Sequence, residues 1–193
     1  MHKVLFALTA VASLSATTLS ATADDFSATL SNYYETAIAH WANDPALISA
    51  IEAQNAARSG LTQADIDAMD AEWRSEVGAA DAPIIQPVLH NDAADFLRTR
   101  VEDSGGVITE AFAMDAHGLN VASTSMTSDM WQGDEEKFTE TYAKGPGAIH
   151  LGEVEFDEST QTYQGYISVT LTDPETGETV GALTVGVNAE ALM

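Results

Sequence analysis

Cysteine is absent from this chain. Without it there can be no disulfide framework, no thiolate nucleophile and no thiolate metal site. Basic residues are almost as scarce. Seven Lys and Arg stand against 30 Asp and Glu, a formal net charge of −23, and no Arg follows Arg100. This excludes nucleic acid and anionic membrane surfaces as partners, since both demand Lys/Arg patches. Such acidity either serves solubility or draws cations to a pocket. Long apolar runs are missing too. The apolar stretch near the N-terminus, Val4 to Ala12, is too short to cross a bilayer.

That stretch follows Lys3 and precedes the small-x-small site Ala21-Thr22-Ala23, so residues 1–23 are expected to be a secretory signal cleaved after Ala23. The mature protein is then expected to be periplasmic or secreted. The chain of 193 residues suits one domain with a real core.

The first half reads as helical. Leu30, Tyr33, Tyr34, Ala37, Ile38 and Trp41 form a wide apolar stripe at helical spacing. That stripe either packs on the domain's own sheet and helices or supports a homodimer through the first helix. Asp44-Pro45 is a helix start, with an N-cap followed by Pro at the first helical position. Thr62 and Asp65 have the spacing of a capping box ahead of Ile66, Met69 and Trp73. Residues 78–87 read as a linker. A further helix from about Asn91 buries Phe96, Leu97 and Val101 and stops at Gly105-Gly106.

The second half changes period. Strands are predicted over 108–114 and 119–124, joined by the turn Asp115-Ala116-His117-Gly118. A third strand over 149–156 carries a bulge or bend at Gly152. A fourth near 163–172 alternates Ile167, Val169 and Leu171 with Tyr166, Ser168 and Thr170. The turn at 173–177 leads into a fifth strand, about 179–187. The predicted class is α+β: a helical region over 24–103, then a five-stranded antiparallel sheet over 104–193 with a helical insert near 134–143. The whole of 24–193 is one domain.

Few residues mark chemistry. His40, His90, His117 and His150 lie far apart, so no helical metal pair exists, and no G-x-S-x-G elbow is present. Asp65, Asp67 and Asp70 lack the glycine and terminal glutamate of a calcium loop, and they read as a solvated helix face. Nothing marks a cofactor, a metal or an enzyme. Trp131 stands out in the loop Met130-Trp131-Gln132-Gly133-Asp134. It either plugs the core or offers a π face beside the Asp134 charge, a sensible receptor for an ammonium group.

The hairpin MDAHGLNVAST, the loop TSDMWQGDE, the strand YQGYISVTL and the closing DPETGETVGALTVGVN resemble, over Gly106 to Leu192, the Cache (PDC) family of extracytoplasmic PAS-like sensor domains. The resemblance implies a pocket over the sheet, under the loop and helix between the second and third strands, for amino acids, carboxylates or amines. In amino-acid-binding members that loop carries an Arg two residues before a Trp. An Asp three residues after the Trp, and another after the fourth strand, hold the amine. Trp131, Asp134 and Asp173 match the Trp and Asp positions, whereas Asp129 replaces the Arg and breaks the carboxylate clamp. Tyr142 and Asp115 complete the candidate ligand-binding set. The implied ligand is a small amine or other cation, since an anion would have to rely on Lys137, Lys144 or backbone donors. The implied role is that of a free-standing periplasmic sensor in signal transduction, with a membrane-bound receptor or kinase as partner. The alternative is an adaptor that docks on a membrane receptor through an exposed helical stripe.

Overall fold

The computed structural model describes residues 23–157 and 162–192. The expected signal sequence, up to residue 22, lies outside the described residues. Five helices come first: α1 (Ala23–Tyr33), which runs on into a π-helical turn (Tyr34–Ile38), α2 (Pro45–Arg58), α3 (Gln63–Glu76), α4 (Ile85–Leu89) and α5 (Asp92–Asp103). Their starts follow local chemistry. Asp44 accepts the Ala46 N–H ahead of Pro45, and Thr62 and Asp65 form a reciprocal capping box. Asn91 caps α5 by accepting the Ala94 N–H. Short α4 occupies the end of the segment expected to be a linker, because Ile85 and Val88 are buried against α3. The buried Glu76 carboxylate accepts the N–H groups of Ile84 and Ile85 where that helix begins.

The sheet comprises β1 (Ile108–Met114), β2 (Asn120–Ser123), β3 (Ile149–Leu151), β4 (Glu155–Asp157), β5 (Thr162–Thr172) and β6 (Thr179–Asn188). All pairings are antiparallel, in the order β2-β1-β6-β5-β3, with β4 also on β5. The single third strand expected over 149–156 is therefore two short ones. Gly152 separates them, and its backbone lies so close to Tyr166 that an added Cβ would stand 3.3 Å from the Tyr166 Cβ. Between β2 and β3 sit α6 (Glu136–Thr139) and a 3-10 turn (Tyr142–Lys144), the expected helical insert.

One sheet face carries the core. Ala111, Ala113, Ile167, Val169, Leu171, Leu183, Val185 and Val187 pack against Leu30, Ile38, Trp41, Leu47, Ile51 and Leu97 of the helical half. Burial of each large aliphatic side chain contributes roughly 1.5–3 kcal/mol. Two glycines let the helices approach. A Cβ on Gly165 would meet Phe26 and Leu30 of α1, and one on Gly181 would stand 3.1 Å from Ile51 Cγ2 of α2. The apolar stripe of the first helix is thus spent on the chain's own sheet, with Leu30 and Ile38 fully buried. It is not the exposed docking stripe that the adaptor reading requires. No described helix is long and apolar enough to cross a membrane.

Candidate functional site

The other sheet face lies under the insert, and its composition is unusual for a covered surface. Antiparallel partners share a face, so the strand register defines rows of side chains. One row runs Ser123–Phe112–Thr184–Ser168–His150. Beside it run Met114–Ala182–Thr170 and Glu110–Gly186–Tyr166. Central strand β6 contributes Ala182, Thr184 and Gly186 to these rows, while Phe112, Met114 and Tyr166 rise on either side. The result is a trough with a small-residue floor.

The floor is polar and buried. Ser123, Ser168 and Thr184 are fully buried. Ser168 and Thr184 share a 3.0 Å hydrogen bond, and Ser123 donates to the Ser125 carbonyl. The buried Thr170 Oγ1 has no partner among the described residues. A buried hydroxyl without a hydrogen bond is costly, so a native chain retains one where something else can satisfy it.

The roof comes from the insert. Phe138 packs on Phe112, Met114 and Ala182, and Tyr142 stacks on Phe138 at 5.0 Å between ring centroids. Lys137 Nζ stands 5.7 Å from the Phe112 ring centroid and 5.4 Å from that of Tyr166. Its ammonium also pairs with Glu135 at 2.7 Å. Opposite, Glu110 accepts from Tyr166 Oη at 3.2 Å and from Ser125 Oγ at 3.3 Å. Beside Glu110, Thr109 Oγ1 reaches across β6 to Gln164 Oε1 at 2.6 Å, which Gly186 permits because a Cβ there would stand 2.8 Å from Gln164 Oε1. The trough thus holds a cation and a carboxylate among apolar and hydroxyl side chains, with Gln164 and His150 at its borders.

The five residues singled out from the sequence do not share one pocket: Asp115, Trp131 and Tyr142 lie about the hairpin turn, and Asp173 and Asp134 are apart from them. Tyr142 is in the roof, where burial and then the Asp115 charge raise its phenol above the ordinary value. Asp115 is fully buried and holds the hairpin turn, accepting the N–H groups of His117 and Leu119 and Gln54 Nε2. Trp131 packs toward α3 and α4, and its Nε1–H donates to the His117 carbonyl at 2.9 Å. Asp134 is exposed. Asp173 closes the β5–β6 turn through the Glu175 N–H and the Thr176 hydroxyl, which hold its carboxyl below the usual value.

Two further groups depart from the sequence reading. Asp70 is not on a solvated face: it is buried and accepts the N–H groups of Met130 and Trp131. Its neighbours Asp65 and Asp67 are exposed as expected. Glu110, Lys137 and Tyr166, which frame the trough, lie on three separate elements. The one advance signal was the polar alternation of Tyr166, Ser168 and Thr170 along β5. Among the described residues no group of three or more His, Asp or Glu could hold a metal ion.

No protein-family model matches the chain, and no curated protein matches it in sequence. Among solved structures it is similar to the sensor domain of the Vibrio cholerae histidine kinase DctB, with 15% identity over 88% of this chain and 54% of that one, at a TM-score of 0.50. It is also similar to the ligand-binding domain of the Campylobacter jejuni chemoreceptor Tlp3 in complex with 4-methylisoleucine, with 12% identity over 86% of this chain and 61% of that one, at a TM-score of 0.42. The chain spans between half and two thirds of the length of these structures. The fold is α+β, as the sequence predicts, and is similar to the PAS-like fold of the DctB sensor domain.

Proposed function

We propose that this chain is an extracytoplasmic small-molecule-binding sensor domain whose ligand lies in the trough under the α6 insert. The observation that carries this reading is the floor itself. A sheet face that only needed covering would be apolar, yet this one buries Ser123, Ser168, Thr170 and Thr184, with the Thr170 hydroxyl unpartnered among the described residues. Pockets that fix a small ligand combine mostly apolar walls with a few convergent polar groups, and the trough has that composition.

The ligand class follows from the two charges. Glu110 can accept from an amine, and Lys137 can exchange Glu135 for a ligand carboxylate. A small amine-bearing molecule fits, and a zwitterion of amino-acid type satisfies both ends where a bare amine satisfies one. The matched DctB domain is the sensor of a histidine kinase. By analogy this domain reports to a membrane-bound kinase or receptor, through binding rather than catalysis.

The test is a thermal-shift and calorimetric screen of the purified chain against amino acids, primary amines and carboxylates. Binding to the native state stabilises it by about 2.7 kcal/mol at a ligand concentration of 100 times Kd. An amino acid or amine should raise Tm in a dose-dependent way. Glu110→Gln and Lys137→Met should each weaken an amino acid at least about tenfold, the usual weight of a charge-assisted hydrogen bond. Trp131→Phe and Asp134→Ala belong in the same screen. If those two abolish binding while Glu110→Gln and Lys137→Met keep it, the ligand sits at the loop and the trough assignment is wrong. A screen flat for every amine and amino acid would sink the reading altogether.

A further inference from the structure

A second cavity lies across the sheet from the trough, between the helical half and the β1–β2 hairpin. It is a cleft of about 550 Å³, within the range of small-molecule sites. Its walls are mostly apolar, formed by Ala50, Ala57, Met69, Val88, Val121 and Met130. Three polar side chains also line it: Gln54, Arg58 and Asn91.

Two of these are already engaged. Gln54 Nε2 donates to Asp115 Oδ2 at 2.8 Å and reaches the Leu119 and Asn120 carbonyls. Asn91 Nδ2 donates to the Pro87 and Val121 carbonyls, and its Oδ1 caps α5. Arg58 differs. Its side chain is only 22% exposed, and Nη1 is buried with no hydrogen-bond partner among the described residues. The Asp115 carboxylate stands 3.8 Å away, within ion-pair range but beyond a hydrogen bond. That carboxylate is held in the hairpin turn, where Oδ1 accepts the His117 and Leu119 N–H groups and Oδ2 accepts from Gln54 Nε2. A guanidinium is a planar fork of five donors suited to bidentate carboxylate recognition. Here one of its nitrogens, Nη1, is buried without a hydrogen bond, at the edge of an apolar cleft.

The geometry points to a second ligand site in this cleft, for a small amphipathic carboxylate whose anionic head meets Arg58 and whose aliphatic tail lies along Val88, Val121 and Met130. The sequence offered only Lys137, Lys144 and backbone donors for an anion, since no Arg follows Arg100. The helical half supplies the missing guanidinium from the other side of the sheet. This site stands independently of the trough, so either can be absent without the other.

Straight-chain carboxylates from acetate to octanoate, with hexylamine and hexanol as controls, are titrated into the purified chain by calorimetry. Affinity should rise with carboxylate chain length, while hexylamine and hexanol bind at least about tenfold more weakly than hexanoate. Arg58→Gln should weaken octanoate at least about tenfold, and Ala57→Phe, at an exposed helical position that lines the cleft, should do the same by filling it. Glu110→Gln and Lys137→Met, which alter the trough, should leave octanoate binding unchanged. Three results would each overturn the site: no octanoate binding by the folded chain, hexylamine binding as well as hexanoate, or octanoate binding that survives both Arg58→Gln and Ala57→Phe.

Discussion

Asp70 Oδ1 accepts the backbone N–H of Met130 at 2.9 Å and that of the next residue, Trp131, at 3.1 Å. One carboxylate on α3 therefore anchors the loop that leads from the hairpin to the insert. Arg74, one turn later, pairs with Asp70 at 2.8 Å and reaches Asp129 at 3.6 Å. Asp70→Ala removes the acceptor and strands two N–H groups, one of them buried. Each unsatisfied buried donor costs about 1–3 kcal/mol. The expected loss is about 2–4 kcal/mol, read from the urea midpoint, with Asp70→Asn losing less because it retains an acceptor. A loss below about 0.5 kcal/mol for Asp70→Ala would show that the loop is held by other contacts.

Gly118 and Gly133 lie back to back where the loop crosses the hairpin turn. Gly118 has φ +79°, and a Cβ on it would stand 2.5 Å from Gly133 Cα. A Cβ on Gly133 would stand 2.3 Å from Trp131 Nε1 and 2.9 Å from the His117 carbonyl oxygen. Overpacking of this kind costs about 1–3 kcal/mol, and a left-handed φ on a residue with a side chain adds strain. Gly118→Ala should therefore destabilise more than Gly133→Ala. Gly133→Ala alone should also break the Trp131–His117 hydrogen bond, visible as a shifted indole N–H resonance.

Asp129 sets a pH dependence. Burial first, and then the nearby Glu135 and Asp70 charges, raise its carboxyl above the ordinary 3.8, with Arg74 and Gln132 opposing. With the folded value raised, the native state holds more protons than the unfolded chain across the window from 3.8 up to the raised value. Stability contributed by this group therefore falls as pH rises through that window. Asp65 and Asp173 are shifted the other way, so their contribution is lost only as pH falls below the usual carboxylate range. Asp129→Asn should flatten the decline above pH 3.8 and leave the acid limb intact, as measured by urea midpoints across pH. Identical profiles for the two proteins would refute this.

Asp115 is fully buried, and four groups converge on it: the His117 and Leu119 N–H, Gln54 Nε2 and the Arg58 guanidinium. Removing one partner of a buried charge pair costs about 3–5 kcal/mol, because the other charge is left without compensation. Asp115→Ala should lose that much in chemical denaturation, and Asp115→Ala/Arg58→Met should recover part of it. A double variant no more stable than Asp115→Ala would show that the loss comes from the turn rather than from Arg58.

Much of the fold was legible locally. Asp44-Pro45 and the Thr62–Asp65 box are signals read within four residues, and the helices begin where those signals stand. The hairpin turn at Asp115–Gly118 and the alternation along β5 act over equally short range, so the strands follow them. The candidate site was not legible in the same way. Trp131 and Asp134 stood out by residue type, yet Trp131 is held by the hairpin turn and Asp134 lies exposed. Asp70 has the sequence surroundings of a solvated helix face, and only a loop 60 residues further on turns it into a buried acceptor.

By itself, then, the amino-acid sequence determined the α+β class, the helix starts, the turns and the absence of thiolate chemistry, because each rests on a residue's own conformational preference or on neighbours within one turn. Tertiary structure alone decided which side chains meet. The trough depends on register, which sets Glu110, Gly186 and Tyr166 in one row, and on an insert that lowers Lys137 over them. The Arg58 cleft depends on a hairpin turn that holds Asp115 at 3.8 Å from Arg58 Nη1 and leaves that nitrogen without a hydrogen bond. Both are long-range pairings whose free energy exists only once the chain has closed on itself, and no local pattern encodes them.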